Sequence, residues 1–484
     1  MAIAKPIFNR IAAVFAVSAF IVIAQAQPTW KCVFGGYAVD EARDIAALGD
    51  GGFVVVGSTG SFGNGSSDIY LFKVNATGIR EWSALLGGPE IDEAQAIVEM
   101  ADGGFVIVGS TNGGGLGGYD GLVIRTDPNG SVLWERTFGG ADWDFLNTVD
   151  RDGSDGIWAG GITYSSGVGG DHWLVHLDSE GEALITRTYG GLGAEETESL
   201  KSTPDGGCVL AGVHTTVLGD MNAHVLKVNS AAEIEWEGSY GGDSLDLARD
   251  IIRTSDGGYS ILGSTRSFNP VVEQYHVKLA STGIEEWVKH WGQVNDQEGY
   301  EHVQLSSGEF ASIGYVSQGG AGGKDMFLLK SDSQGNFILG QTQGGSQDEF
   351  GYALVRAEGG YVMCGVTLSY GAGQWDVMVI RTNEVGFTTS DFVNEQFDPV
   401  SVEELGMDRS FVYPNPSSGS FTVPDVMDLT SWRLIDSSGR ISDEGKLTNG
   451  FREVECTSPS GFYLLELFTR NGIVERGQLI IARP

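Results

Sequence analysis

An acidic residue follows each of seven glycine doublets, or the remnant of one, along the chain. Such a carboxylate can accept hydrogen bonds from a ligand, or act as an acid or base in glycosidic-bond cleavage. Equally, an acid in a short loop can accept hydrogen bonds from the backbone of its own turn. We treat seven acids as candidate ligand-binding residues: Asp40, Asp92, Asp144, Glu195, Asp246, Asp296 and Asp348.

Other patterns that would indicate catalysis or metal binding are weak. The sequence contains no GxSxG, HExxH or Walker-type motif. Four histidines, His172, His176, His224 and His276, fall on predicted strands, where packing or surface roles are expected. A calcium ion needs six to eight oxygens at close range, and one acid per repeat spreads them too widely. We therefore predict no catalytic residue, no metal and no cofactor, and favour a protein that is not an enzyme.

The acids follow an internal repeat marked by Gly35, Gly87, Gly139, Gly190, Gly241, Gly292 and Gly344. Each unit contains four strand-like runs separated by turns, which in the second unit are AQAIVEM, FVIVGS, DGLVIRT and SVLWERTF. Four antiparallel strands in about 50 residues are typical of a β-propeller blade. Because strand direction alternates, the acids enter the first strand on the face that also carries the glycine-rich loops. This loop-rich face is the predicted binding face.

A tryptophan stands five residues before the glycine doublet in four units, at Trp82, Trp134, Trp236 and Trp287. The seventh unit lacks this residue, but Trp30 stands five residues before Gly35 at the start of the repeat region. The segment around Trp30 is therefore predicted to be the fourth strand of the seventh blade. We predict an all-β fold in which residues 27–389 form a seven-bladed β-propeller closed by its N-terminal strand. The alternative is a linear solenoid.

Each predicted third strand opens with an acid or amide and ends five residues later with a basic residue. This offset puts the two side chains on opposite faces, so each is expected to pair with other strands or blades. The pairs are Asp68/Lys73, Asp120/Arg125, Asp171/His176, Asn222/Lys227, Glu273/Lys278, Asp325/Lys330 and Asp376/Arg381. Cys32 and Cys364 would flank one strand, about 9–10 Å apart, so buried free thiols are expected rather than a disulfide.

Residues 1–26 have the pattern of a signal peptide. Lys5 and Arg10 precede an apolar core, and Ala24-Gln25-Ala26 predicts cleavage after Ala26. The apolar core is too short to span a bilayer, and no later segment is apolar enough, so no membrane insertion is expected. The formal net charge of -35 argues against nucleic acid and anionic membranes as partners.

The C-terminal part differs in composition from the repeats. Residues 390–410 are acidic and unpatterned and are predicted to be a linker, and residues 411–484 are predicted to form a small β-sandwich. Three motifs mark this region: YPNPxxG, LxDxxGR and GFYL. Their key residues are Tyr413, Pro414, Asn415, Pro416, Gly419, Gly439, Gly461 and Tyr463. On these motifs the region resembles the C-terminal sorting domain of type IX secretion cargo.

That resemblance implies a partner, the outer-membrane secretion machinery, and export across both membranes of a diderm bacterium. The protein is then expected to be secreted or held at the cell surface. The propeller units resemble secreted repeats of the DGGF…GxT…D…K type, whose members share no single activity.

Three functions fit these observations. The first is a binding, scaffold or adhesion module for an extracellular glycan or protein. The alternative is a secreted hydrolase or lyase that acts on polysaccharide through carboxylates on the loop-rich face. A third is a structural component of the cell surface or matrix with no small ligand.

Overall fold

The computed structural model describes residues 28–167, 169–216, 219–292, 294–371, 374–388 and 393–397. It also describes the C-terminal segments 420–422, 429–436, 440–447, 453–459, 461–469 and 472–481. The predicted signal peptide with Ala26 lies outside these ranges, as do Tyr413, Pro414, Asn415, Pro416, Gly419 and Gly439 of the sorting motifs.

Seven four-stranded antiparallel sheets form the blades of a propeller. Blade one contains β2 (Asp40–Ala47), β3 (Phe53–Thr59), β4 (Asp68–Val74) and β5 (Arg80–Leu86). Blade two contains β6 (Asp92–Glu99), β7 (Phe105–Thr111), β8 (Asp120–Thr126) and β9 (Val132–Phe138). Blade three contains β10 (Asp144–Arg151), β11 (Ile157–Thr163), β12 (Asp171–Leu177) and β13 (Ala183–Tyr189). Blade four contains β14 (Glu195–Ser202), β15 (Cys208–Thr215), β16 (Met221–Val228) and β17 (Ile234–Tyr240).

The remaining blades repeat this order. Blade five contains β18 (Asp246–Arg253), β19 (Tyr259–Thr265), β20 (Glu273–Leu279) and β21 (Glu285–Trp291). Blade six contains β22 (Gln297–Gln304), β23 (Phe310–Val316), β24 (Asp325–Ser331) and β25 (Phe337–Gln343). Blade seven contains β26 (Glu349–Ala357), β27 (Gly360–Thr367), β28 (Asp376–Asn383) and β1 (Trp30–Gly35). The second and third strands of each blade are mostly buried, because both of their faces pack against neighbouring blades.

The ring closes as the sequence predicts. Strand β1 pairs antiparallel with β28, with Trp30 opposite Arg381 and Cys32 opposite Val379. Across the closing junction, the backbone N–H of Asp40 donates to the carbonyl oxygen of Trp375 at 2.7 Å. The prediction of a closed propeller is confirmed, and the alternative of a linear solenoid is wrong.

Blade seven also has a fifth strand. Strand β29 (Val393–Phe397) pairs parallel with β1 and lies at the outer edge of the sheet. Residues 390–410 are predicted to be an unpatterned linker, so this strand differs from the prediction. Because the outermost strand of a blade presents an unpaired edge, the segment that follows the propeller can pair with it in the absence of any hydrophobic pattern of its own.

In five blades, the tryptophan of the outer strand packs against a glycine in the following blade. A Cβ atom at Gly78 in blade one would lie 2.7 Å from the indole of Trp30 in blade seven, so only glycine allows this approach. Gly130 and Trp82 repeat the contact between blades one and two. The tryptophan repeat is therefore a device that packs neighbouring blades together.

Six of the seven basic residues of the third strands pair with acids outside their own strand, whereas Arg381 donates to the carbonyl oxygens of Ala76 and Glu358. Lys227, for example, lies 2.8 Å from Asp205 in the turn between the first two strands and 2.9 Å from Glu235 on the outer strand. The turn acid is the partner in five blades, in the pairs Lys73–Asp50, Arg125–Asp102, His176–Asp152, Lys227–Asp205 and Lys278–Asp256. These pairs tie the hairpin turns to the blade, and they account for the DGG turn that recurs in the sequence.

The four cysteines are buried free thiols. Cys32 and Cys364 both lie opposite Val379, on either side of β28, so the predicted geometry is correct.

The described C-terminal segments form two small sheets. One has the strand order β32 (Ile441–Lys446), β31 (Leu429–Asp436), β34 (Gly461–Thr469) and β35 (Gly472–Ile481). The other pairs β30 (Ser420–Thr422) with β33 (Glu453–Glu455). Tyr463 of the third sorting motif is buried, and its hydroxyl donates to the carbonyl oxygen of Pro459 at 2.9 Å. No helix occurs among the residues that the structure describes.

Candidate functional site

The candidate acids differ from their predicted position, because five of them are the first residues of inner strands rather than loop residues. Asp144 is fully buried. Its carboxylate accepts hydrogen bonds from the backbone N–H of Gly140 and the hydroxyl of Ser165, both at 2.7 Å, and from the hydroxyl of Thr163. Asp40 and Asp246 repeat this set of contacts. Asp92 and Glu195 accept from Gly88 and Gly191 in the same way. These carboxylates therefore hold the glycine loops of their own blades.

Asp296 and Asp348 occupy a different place from the other five acids. The first residues of β22 and β26 are Gln297 and Glu349, one residue later. Glu349 accepts from the backbone N–H of Gly345 at 2.7 Å and so replaces the aspartate. Asp296 and Asp348 instead accept from the backbone N–H of Val272 and Lys324 in the preceding blade. The prediction of seven equivalent acids is thus wrong for blades six and seven.

Residues two and four of each inner strand, rather than the candidate acids, border the central channel. In all seven inner strands, residues one and three are buried, whereas residues two and four are half-buried. The second residues are Glu41, Glu93, Phe145, Glu196, Leu247, Glu298 and Phe350. The fourth residues are Arg43, Gln95, Asn147, Glu198, Arg249, Tyr300 and Tyr352. Sequence reasoning did not assign any of these fourteen residues to the site.

The fourth residue of each inner strand lies at a β-bulge. In blade one, Ala42 lies opposite Gly57 and Asp44 lies opposite Val56, so Arg43 has no partner in the ladder. The same irregularity occurs in the other six inner strands. A Cβ atom at Gly57 would lie 1.8 Å from the carbonyl oxygen of Glu41, which explains why glycine faces the bulge. The bulge leaves one residue per blade outside the ladder and shifts the alternation of the side chains that follow it.

Eight of the second and fourth inner-strand side chains line a chamber of about 420 Å³. Its lining residues are Arg43, Gln95, Asn147, Glu196, Glu198, Arg249, Tyr300 and Tyr352, which come from all seven blades. The volume lies in the range of known ligand sites. The chamber on the propeller axis is therefore the candidate site.

One side of the chamber combines tyrosine rings with guanidinium groups. Tyr300 and Tyr352 meet edge to face, with ring centroids 5.2 Å apart. Arg249 lies 5.7 Å from the ring of Tyr300, and Arg43 lies 4.9 Å from the ring of Tyr352. Each guanidinium group also has an acidic partner, Glu198 at 2.5 Å for Arg249 and Glu41 for Arg43. This side of the chamber therefore presents aromatic ring faces next to paired charged groups.

The opposite side carries amides and carboxylates. The side-chain amide of Asn147 donates to Glu196 at 3.1 Å and to the carbonyl oxygen of Thr197 at 3.0 Å. Burial, followed by the charge of nearby Glu198, raises the pKa of Glu196 to about 7. Glu196 and Glu198 thus differ in environment, since Glu198 is held by Arg249.

Deeper in the channel, Lys201 of blade four sits among carboxylates of four other blades: Asp44, Asp150, Asp250 and Glu301. Burial acts to lower the pKa of Lys201, but the charges of these carboxylates together raise it. Burial and the neighbouring carboxylates raise the pKa of Glu301. Lys201 makes no ion pair within 4 Å among the residues described, so it acts on the carboxylates as a central charge.

The side chain after the bulge links neighbouring inner strands. Asp44 accepts from the backbone N–H of Ile97 at 2.8 Å, and Asp250 accepts from that of His302 at 2.9 Å. Thr148, Ser199 and Glu301 make the same bond to the next blade. Because the inner strand has a free edge toward the axis, these bonds satisfy backbone donors that would otherwise be unpaired.

The histidines singled out in the sequence lie within the blades, away from the chamber lining. His172 is buried, with its Nε2 3.0 Å from Nδ1 of His224 and its Nδ1 2.9 Å from the hydroxyl of Thr197. Burial lowers the pKa of both imidazoles. His276 is buried against the hydroxyl of Ser260, and His176 pairs with Asp152. Each has packing and hydrogen-bond partners.

No group of three histidine, cysteine or acidic residues spaced to hold a metal ion occurs in the part of the chain that the structure covers. In the same residues, no helix has the length and apolar character needed to cross a membrane.

Comparisons with known proteins show similarity at the level of distant folds. No protein-family model matches the chain, and no curated protein matches it. PorZ, described as an essential bacterial surface component of the type IX secretion system of Porphyromonas gingivalis, is 12% identical with a TM-score of 0.42. The match covers 93% of this chain and 59% of PorZ. Puromycin hydrolase is 15% identical over 82% of this chain and 58% of its own, with a TM-score of 0.45.

A putative 6-phosphogluconolactonase from Bacteroides fragilis is 16% identical over 71% of this chain and 95% of its own, with a TM-score of 0.43. The chain spans less than two thirds of the length of PorZ and of puromycin hydrolase. We base no functional conclusion on similarity at this level.

Proposed function

We propose that this protein is an exported binding module that holds an extracellular ligand in the chamber on the propeller axis. The observation that carries the proposal is the variation of the fourth inner-strand residue between otherwise similar blades. The third position carries a buried residue in every blade, whereas the fourth carries arginine, glutamine, asparagine, glutamate or tyrosine. A purely structural position in a repeat has no need for seven large polar side chains that meet in one cavity.

The ligand is an extracellular glycan or a protein segment. Tyrosine rings offer surfaces for stacking, and the amides, carboxylates and guanidinium groups offer directional hydrogen bonds. The seven candidate acids support the site indirectly, since they hold the loops around it. Direct ligand binding by those acids stays a prediction.

The test is a screen of the purified protein, without its predicted signal peptide, on glycan and protein arrays. A double variant, Arg249→Ala with Tyr300→Ala, should lose binding of any ligand found. Arg253→Ala is the matched control, because Arg253 lies on the same strand but is exposed and bonds to the carbonyl oxygen of Ser202. A ligand that the double variant binds as well as the parent protein does would rule out the chamber.

We further propose export by a type IX-like route, with residues 411–484 as the sorting domain. The support is the set of sequence motifs and the small all-β unit that carries Gly461 and Tyr463. Deleting residues 411–484 should leave the protein in the periplasm of a host with this secretion system, as measured by cell fractionation. Surface or medium delivery of the truncated chain would contradict the proposal.

A second candidate is a polysaccharide hydrolase or lyase, and one observation favours it. Glu196, with its raised pKa, and Glu198, held by Arg249, line one chamber and could divide the roles of acid and base. Incubation with polysaccharide panels, followed by reducing-sugar and ultraviolet assays, tests this candidate. Products that persist in the Glu196→Gln variant would exclude this pair as the catalytic groups.

A further inference from the structure

The upper channel, meaning the second and fourth residues of the seven inner strands, carries an excess of negative charge. Its acidic side chains are Glu41, Glu93, Glu196, Glu198 and Glu298, and its basic side chains are Arg43 and Arg249. The other seven residues of the upper channel are uncharged. A narrow space with this balance attracts cations and repels anions.

Both guanidinium groups are already paired, Arg43 with Glu41 and Arg249 with Glu198. Within the described ranges, Glu93 makes no side-chain hydrogen bond or ion pair. Among the residues that the structure describes, the only side-chain partner of Glu196 is the amide of Asn147 at 3.1 Å.

In the described part of the chain, the side chain of Glu298 accepts only from the hydroxyl of Tyr300, at 2.9 Å. Together with Glu93 and Glu196, it gives the upper channel three carboxylates without a cationic partner at ion-pair distance among the residues described. Burial raises the pKa of both Glu93 and Glu196, although the charges of Arg43 and Arg249, respectively, act to lower it.

Aromatic rings stand beside Glu298 and line the side of the chamber opposite Glu196. Phe350 and Tyr352 lie nearly parallel, with ring centroids 6.3 Å apart, and Tyr352 meets Tyr300 edge to face. At the rim, the ammonium group of Lys324 already lies 5.0 Å from the ring centroid of Phe350 and 4.3 Å from that of Tyr315. Aromatic faces next to carboxylates favour ammonium and guanidinium groups through cation–π attraction.

In the lower channel, a group of carboxylates has a cation from the protein itself among them. There, Lys201 supplies a cation among Asp44, Asp150, Asp250 and Glu301. The upper channel has unpaired carboxylates but no lysine at the corresponding inner-strand positions. A cation from outside the chain would supply to the upper channel the positive charge that Lys201 supplies to the lower channel.

Building on the proposed binding function, we propose that the chamber binds an organic cation. The recognised group is an ammonium or guanidinium carried by a basic peptide or a polyamine. Anionic ligands such as phosphates and uronates are disfavoured by the three carboxylates. The aromatic walls suit an organic cation better than a metal ion, which needs several oxygens at about 2.3–2.6 Å.

The test is isothermal titration calorimetry of the purified protein with three probes: hexalysine peptide, spermine, and hexalysine with acetylated side chains. The first two carry the proposed group on a peptide and on a polyamine, and the third keeps the chain length but removes the charge. Binding of either charged probe, weakened by added salt, with no binding of the acetylated peptide, is expected. Equal binding of charged and acetylated peptides would overturn the inference.

Two variants test whether the cation binds in the upper channel, which includes the residues that line the chamber. Glu93→Gln and Glu196→Gln should each weaken binding of the charged probe by at least about tenfold, because each removes a partly buried partner of the cation. Glu237→Gln is the matched control, since it removes the same charge from an exposed position on outer strand β17. Thermal melting confirms that each variant is folded. Unchanged affinity in both upper-channel variants, Glu93→Gln and Glu196→Gln, would show that the cation binds elsewhere and would overturn the inference.

The two proposals fail in different ways. If arrays identify a neutral glycan whose binding is lost with Arg249→Ala and Tyr300→Ala, the binding function stands and the cation inference is wrong. If neither the arrays nor the charged probes give chamber-dependent binding, the proposed binding function fails as well.

Discussion

The indole nitrogen of Trp30 donates a hydrogen bond to the carbonyl oxygen of Ala76 at 3.1 Å. The two residues lie on different blades, since Trp30 belongs to the last blade of the ring and Ala76 to the first. Arg381 of blade seven donates to the same carbonyl oxygen at 3.0 Å. One acceptor in the first blade thus receives donors from both ends of the propeller segment, which makes this junction the point where the ring is closed.

Replacing Trp30 with alanine should weaken the closing junction. The side chain is 7% exposed and packs on Gly78, so its loss leaves a cavity, and the carbonyl oxygen of Ala76 loses one of its two donors. We expect Trp30→Ala to lower the free energy of unfolding by about 3–5 kcal/mol, measured by urea denaturation with circular dichroism. Trp143→Ala is the control, because Trp143 is 53% exposed, and it should change stability by less than about 0.5 kcal/mol. Similar losses in both variants would contradict this role of Trp30.

The buried acids at the start of the inner strands should matter for stability rather than for binding alone. Asp144→Ala leaves the donors of Gly140, Thr163 and Ser165 without their acceptor, so we expect a loss of about 2–4 kcal/mol. Asp296→Ala removes a single bond to the backbone of Val272 and should cost about 0.5–1.5 kcal/mol. Denaturation of the two variants side by side checks the order, and a reversal would contradict the structural assignment.

Lys201 should stabilise the propeller through its charge. Lys201→Met leaves the surrounding carboxylates without a central cation, and we expect a loss of about 3 kcal/mol at pH 8. The raised pKa of Lys201 means that its contribution is fully present below its unfolded pKa and disappears as pH rises through the folded value.

The effect of Lys201→Met should also depend on pH. Burial has already raised the pKa values of Asp44 and Glu301, so these groups take up protons readily once the lysine is gone. The destabilisation should therefore shrink between pH 8 and pH 5, as measured by thermal melting across this range. Lys201→Arg keeps the charge and should lose much less. A pH-independent loss in Lys201→Met would indicate a packing effect instead.

The cysteines should be unreactive in the folded protein. Burial raises the pKa of Cys32 to about 12 and raises that of Cys364 as well, so little reactive thiolate forms at neutral pH. We expect no labelling by a thiol reagent under native conditions and four labelled thiols in urea. Fewer than four labels in urea without reductant would reveal a disulfide.

Much of the fold follows from local patterns in the sequence. Tight turns, alternating strands and the recurring tryptophan predict four strands per blade, and Trp30 predicts how the ring closes. These features depend on neighbours in the chain, and a repeat shows each of them several times. Strand β29 escaped prediction because residues Val393–Phe397 pair with an edge that the rest of the fold provides.

The candidate site was predicted less well, for reasons visible at particular residues. The acids stand out in the sequence because they recur. They recur because their carboxylates accept hydrogen bonds from the glycine loops in several blades, which is a structural role. Arg43 and Tyr352 occupy a position whose residue type changes around the ring, so no repeated pattern marks them in the sequence. In the sequence, the site is indicated by variation at one position within a regular repeat. A glycine opposite the bulge, such as Gly57, identifies that position.

The sequence by itself determined the strands, the blade count and the closure, because hydrogen-bonding periodicity and turn geometry are encoded over a few residues. Only the tertiary structure decided which side chains face the axis, since a bulge in each inner strand shifts the alternation by one residue. It also decided which groups meet there. Arg43 and Tyr352 lie at opposite ends of the propeller segment, and the closing of the ring brings them within 4.9 Å.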